Sequence, residues 1–157
     1  MKKSLVLLSV VAALVGATAA QGSGSGSIVV GEIFAAGGNS GSPYTNDYVE
    51  LFNRGSSSVG LSGWTLQYAS ATGTAWTSTA LSGSIPAGGH YLIQLASGGT
   101  NGSALPAADA AGTSNLAMSG GKVQVVSSGT DVCIRNAISY CEMRVAISGS
   151  PVSASFI

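Results

Sequence analysis

Asp47–Asn53 reads DYVELFN. Its side chains alternate: Val49 and Leu51 fall on one face, and Tyr48, Glu50 and Phe52 on the other. Successive strand side chains point to opposite faces, so this is the pattern of a β-strand with one face toward a core. The surrounding stretch, GGNSGSPYTNDYVELFNRG (37–55), holds Asn39, Asn46, Asp47, Glu50 and Asn53 among glycines. Such oxygen donors serve cation binding, acid–base chemistry, or simply the turns at the ends of a strand.

The same alternation recurs on both sides of it. IVVGEIF (28–34) is a compact β-rich run. LSGWTLQYAS (61–70) puts Trp64, Leu66 and Tyr68 on one face. HYLIQLA (90–96) aligns Tyr91, Ile93 and Leu95, and KVQVVSS (122–128) repeats the pattern more weakly. Between these runs lie the turn clusters NRGSSS, SATGT, IPAGG and ASGGTNGSALP. From the first strand to Lys122 no window carries a helical period. Several short strands separated by Gly/Pro/Ser turns predict an all-β, antiparallel β-sandwich.

The first 20 residues belong to a different kind of segment. MKKSLVLLSVVAALVGATAA has a positive start, an apolar stretch and small residues before Gln21. This is the pattern of a cleaved signal peptide (1–20), cut after Ala19 or Ala20. The apolar run is shorter than the ~20 residues a membrane span needs. A secreted chain with no span in its mature part is therefore expected. QGSGSGS (21–27) has the composition of a flexible linker. Its glycines precede the first strand, whereas a dinucleotide fingerprint follows a strand and opens a helix.

Cleavage after Ala20 leaves 137 of the 157 residues, enough for one domain with its own core. The mature chain keeps four Lys/Arg against six Asp/Glu, a net charge of −2. It lacks the basic footprint through which proteins hold nucleic acid phosphates. By its own charge, then, it is not a nucleic-acid binder. Nor does it have a basic patch for an anionic membrane surface.

In order, the motifs IVVGEIFAAGGNSG, YTNDYVELFNRGSSSVGLSGWTLQYASATGT and LSGSIPAGGHYLIQLA closely resemble the lamin-tail domain of secreted bacterial proteins. LPAADAAGT and SGGKVQVV are similar to its later part. The resemblance covers residues 28–126, within a lamin-tail-like unit placed at 28–128. It implies an immunoglobulin-like β-sandwich without catalysis of its own. Bacterial members commonly accompany secreted nucleases, phosphoesterases or other hydrolases, or lie within surface proteins.

Residue by residue, structural roles are expected to dominate. Asp47 begins a strand, where its carboxylate can accept backbone N–H groups of the preceding turn. Asn53 ends that strand before Arg54-Gly55, a position where Asn tolerates positive φ. The spacing is not that of an EF-hand loop, and only two carboxylates lie close in sequence, so no metal is expected. Glu32 and Glu50 sit centrally in two strands. Paired, they could divide acid and base roles; the plainer reading puts them on a solvated face or against Arg54. His90, the sole histidine, has no GxSxG partner motif and reads as a turn residue. Trp64 follows Gly63 and is expected in the core, as in other immunoglobulin-like sandwiches. Trp76 lies in the polar stretch SATGTAWTSTA. It is expected to cover a sheet edge, or to stack on a sugar or a protein partner.

The end departs from the family pattern, whose last strand has the form DxVGYG. Residues 122–157 hold as many charged residues as the much longer span 28–121, and both cysteines. Two readings stand for 129–157: a divergent, truncated or frame-shifted tail, or a genuine variant ending. Cys133 and Cys141, eight positions apart, suit an internal disulfide in a secreted chain. In an unselected tail they would instead be free or pair between molecules.

The functional expectation is a secreted, non-catalytic lamin-tail-like binding or tethering module, with no cofactor. Its partner would be a protein or another extracellular or cell-surface ligand, and it could form the amino-terminal part of a longer hydrolase. The alternatives are a self-associating surface protein, or a small hydrolase using Glu32 and Glu50.

Overall fold

The computed structural model describes residues 27–127, with the backbone of 130–131 and 152–153. The expected signal peptide, all but the last residue of the linker, and Cys133 and Cys141 lie outside the described residues. Eleven strands follow in chain order: β1 (Ile28–Phe34), β2 (Tyr48–Asn53), β3 (Val59–Gly60), β4 (Trp64–Ser70), β5 (Thr77–Ala80), β6 (Ser84–Ile85), β7 (His90–Gln94), β8 (Ala110–Ala111), β9 (Gly121–Ser127), β10 (Thr130–Asp131) and β11 (Val152–Ser153). The four alternating runs of the sequence are β2, β4, β7 and β9.

They form a five-stranded sheet, ordered β11-β1-β2-β7-β8, and a four-stranded sheet, ordered β10-β9-β4-β5. β3 and β6 make a small third ladder. All pairings are antiparallel except β7–β8. The two larger sheets contribute to one core. Ile33, Val49, Leu51 and Ile93 come from the first; Trp64, Leu66, Val123 and Val125 from the second. This is an all-β sandwich, as the alternating runs and the turn clusters between them predict, and it agrees with the immunoglobulin-like fold that the lamin-tail resemblance implies.

One feature breaks the simple inside–outside rule. Phe34 and Tyr48 are opposite one another in the β1–β2 ladder and belong to the face away from the main core. Both are nonetheless buried. Tyr44, Leu92 and Leu105 pack against them in a second cluster. Phe34 and Tyr48 stack with centroids 5.4 Å apart, and Tyr44 meets each ring edge-on. The loops carrying Tyr44 and Leu105 thus cover part of the outer face. They are tied to each other where Thr45 N–H donates to Ser103 O and Ser103 N–H to Pro43 O, both at 2.9 Å.

Candidate functional site

The oxygen-rich stretch around β2 is the natural place to look for chemistry, and Asp47 is its most buried carboxylate, 1% exposed. Its Oδ1 accepts the Gly37 N–H at 2.9 Å and its Oδ2 the Leu116 N–H at 2.7 Å. One donor lies in the preceding loop, but the other is 69 residues away. Asp47 N–H also donates to Ala96 O, and Leu95 N–H to Asp47 O. One residue therefore fastens three chain segments. Burial raises its carboxyl pKa, while the N–H groups of Gly37, Leu116 and Ala36 pull it down without cancelling the effect. Gly37 is required by close approach: a Cβ there would stand 2.0 Å from the carbonyl carbon of Asn46.

Asn53 closes the other end of β2 and is fully buried. Its Nδ2 donates to Ser57 O at 2.8 Å and Ile85 O at 2.9 Å, and its Oδ1 accepts the Gly55 N–H at 2.9 Å. An amide has both donors and an acceptor, which is what this junction of strand, turn and β6 demands. Asp109, to which the sequence reading gave no role, does similar work on β7. Its carboxylate accepts Leu92 N–H at 2.8 Å while its own N–H donates to Leu92 O. Nothing local in the sequence marks these long-range partners.

Glu32 and Glu50 do come together, as register partners across β1 and β2, next to an irregularity between Val30 and Glu32. Like charges placed opposite each other destabilise a sheet unless each is otherwise engaged. Tyr48 Oη donates to Glu32 Oε1 at 2.5 Å. His90 Nδ1 lies 2.7 Å from Glu50 Oε1, and its ring sits 4.9 Å from that of Phe52. Burial and the Glu32 carboxylate push the Tyr48 hydroxyl's pKa well above its ordinary value. The His90–Glu50 contact spans 40 residues. It could have been found only by first pairing VELFN with HYLIQ, which sets Phe52 opposite His90.

Among the described residues, no group of three or more His, Cys, Asp or Glu side chains is placed to hold a metal ion. A small apolar recess lined by Ile33, Tyr68, Leu116 and Val123 has about 10 Å³ of room, on the scale of a single water.

The two tryptophans differ in setting. Trp64 is 7% exposed and part of the main core. Trp76 is 37% exposed, with Lys122 Nζ 5.6 Å from its ring centroid. Acrylamide should accordingly quench a variant that keeps only Trp76 several times more strongly than one that keeps only Trp64. Equal quenching would contradict these placements.

Two sheets around one core, antiparallel except for β7–β8, with polar side chains used to clamp the loops between strands, define an all-β sandwich module. The Lamin Tail Domain family model matches residues 21–137, and the chain belongs to that family, an immunoglobulin-like module that is typically non-catalytic. Comparison with curated proteins gives no match.

Proposed function

We propose that the chain is a secreted, non-catalytic binding or tethering module, serving as the amino-terminal accessory part of a nuclease- or phosphoesterase-type hydrolase. Its partner is a protein or another ligand outside the cell or on its surface. The observation that carries this reading is how the strand carboxylates are used. Glu32 and Glu50 sit on a sheet face, held by Tyr48 and His90, and Asp47 is spent on loop backbone. Among the described residues, no helix is long and apolar enough to cross a membrane. The segment 1–20 supports export by its charge and hydropathy pattern.

The test has two parts. Secreted material should begin at Ala20 or Gln21 on amino-terminal sequencing; intact Met1 on a membrane fraction would overturn export. The purified protein should show no turnover of phosphodiester, ester or glycoside substrates. Turnover abolished by Glu32→Gln or Glu50→Gln would replace the module reading with the hydrolase one.

One observation favours a second reading, self-association. β5, TSTA, ends its sheet without a charge or a proline, and edge strands normally carry such features to prevent strand-to-strand pairing. Light scattering across a concentration series separates the two: a constant monomer mass supports the module, and a rising mass the self-associating protein.

A further inference from the structure

The outer face of the four-stranded sheet has a composition unlike that of the other sheet. In β4 and β9 the inward positions are Trp64, Leu66, Val123 and Val125, which turns Gln67 and Gln124 outward. These two are register partners, and Gln124 Nε2 donates to Gln67 Oε1 at 2.8 Å. Ser78 of β5 lies opposite Gln67 and extends the row. Gln67 Nε2 also donates to Thr65 Oγ1 at 3.4 Å, and each amide keeps one further N–H and a carbonyl lone pair.

Two residues along, Ala69 pairs with Lys122, and Trp76 stands one step beyond the last β4–β5 pair, on the far side of Ala69. Ala69 is only 2% exposed. The Lys122 ammonium lies over the indole and also donates to Gly73 O at 2.7 Å. A half-open indole is thus fixed from one side by a cation that the backbone itself holds. Rows on one face of a strand repeat at about 6.8 Å, so the Ala69–Lys122 pair, whose ammonium lies over the indole, is one row from the amide pair on the same strip.

We infer that this strip binds a neutral glycan, with Trp76 stacking against a sugar ring and the Gln67–Gln124 row meeting hydroxyls of the next. A sugar ring offers an apolar C–H face for an aromatic and a rim of hydroxyls that both donate and accept. An indole beside an amide row supplies both complements. Charge selects among partners. Lys122 is the only charged residue on the outward positions of β4, β5 and β9, and its ammonium is already engaged; Asp131 of β10, the register partner of Val126, is the one acidic residue at an outward register position of the sheet among the described residues. An anionic polymer needs several cations, and a basic one needs carboxylates; this strip has neither set. The inference rests on the module reading and names its ligand.

The full secreted chain would be screened on an array of neutral and anionic glycans. Its binding would then be measured by calorimetry with the best neutral oligosaccharide. Trp76→Ala should weaken binding about tenfold, the scale of a lost aromatic contact. Trp76→Phe should restore part of it, and Gln124→Ala should weaken it severalfold. Circular dichroism melts of each variant identify any loss that comes from unfolding, and Trp76→Phe keeps an aromatic ring at the position. Absence of neutral-glycan binding by the folded, unaltered chain would overturn the inference. So would binding indifferent to Trp76→Ala, or binding confined to anionic glycans and lost in Lys122→Gln. A chain that is exported, monomeric and without turnover, yet binds no glycan, leaves the module reading standing with a protein ligand. Turnover would instead remove the module reading itself.

Discussion

Trp64→Ala is expected to cost roughly 3–5 kcal/mol, the range for truncating a buried large aromatic. The indole belongs to the same cluster as Leu66, Val123 and Val125, and is 7% exposed. The backbone around it is fixed as well. Trp64 N–H donates to Leu61 O at 3.0 Å, Gly63 has φ 78° in the turn between them, and Trp64 O accepts the Leu81 N–H at 2.9 Å. A side chain so constrained cannot be replaced by collapse of its neighbours, so a cavity remains. Domains of this kind hold only about 5–15 kcal/mol in total, which leaves the variant near the edge of folding. Urea denaturation followed by circular dichroism measures it. A loss below about 1 kcal/mol would mean that the indole is not a core element. Trp64→Phe should recover much of the difference, because it refills most of the volume.

The sandwich was legible where burial imposes a period of two. DYVELFN, the WTLQY run and HYLIQLA each state which face is inward, and the core contains Val49, Leu51, Trp64, Leu66, Tyr91 and Ile93. The short strands β3, β6 and β8 were not legible. A two-residue strand shows no period, and its pairing comes from neighbours brought in by the fold. Tyr48 teaches a related point. Alternation puts it outside the main core, yet a loop carrying Tyr44 and a segment carrying Leu105 bury it. Periodicity reports which face a side chain is on, but not what the rest of the chain lays over that face.

The polar sites divide in the same way. Asn53 uses the Gly55 N–H, two residues on, and that contact is readable from Asn-Arg-Gly. Its bond to Ile85 O is set by topology alone. Glu32 and Glu50 could be foreseen as neighbours once two strands were paired. That Tyr48 and His90 occupy them could not, because His90 arrives from β7 through a register that no local residue specifies. Trp76 was marked by its polar surroundings; the Lys122 ammonium that orients it comes from 46 positions later in the sequence.

Asp47→Ala is the second large effect, and it is expected to exceed that of an ordinary loop hydrogen bond. Removing the carboxylate leaves the N–H groups of Gly37 and Leu116 without their partner in a buried place. A buried donor left unmet costs about 1–3 kcal/mol, so the variant should lose about 2–4 kcal/mol once relief of the buried charge is allowed for. Calcium should leave the melting temperature unchanged; a calcium-dependent rise that Asp47→Ala abolishes would make the carboxylate a ligand instead. The pH dependence gives an independent reading. Burial holds the folded pKa of Asp47 above its ordinary value of 3.8. The stabilisation linked to such a raised pKa is complete below the unfolded value and is lost as pH rises through the folded one. Other carboxylates titrate alike in both proteins and cancel in the difference between wild type and Asp47→Asn. That difference should therefore favour wild type more at pH 3 than at pH 7 in matched urea titrations. The opposite trend would mean that the backbone N–H groups outweigh burial and hold this carboxylate ionised more firmly in the folded protein than in the unfolded chain.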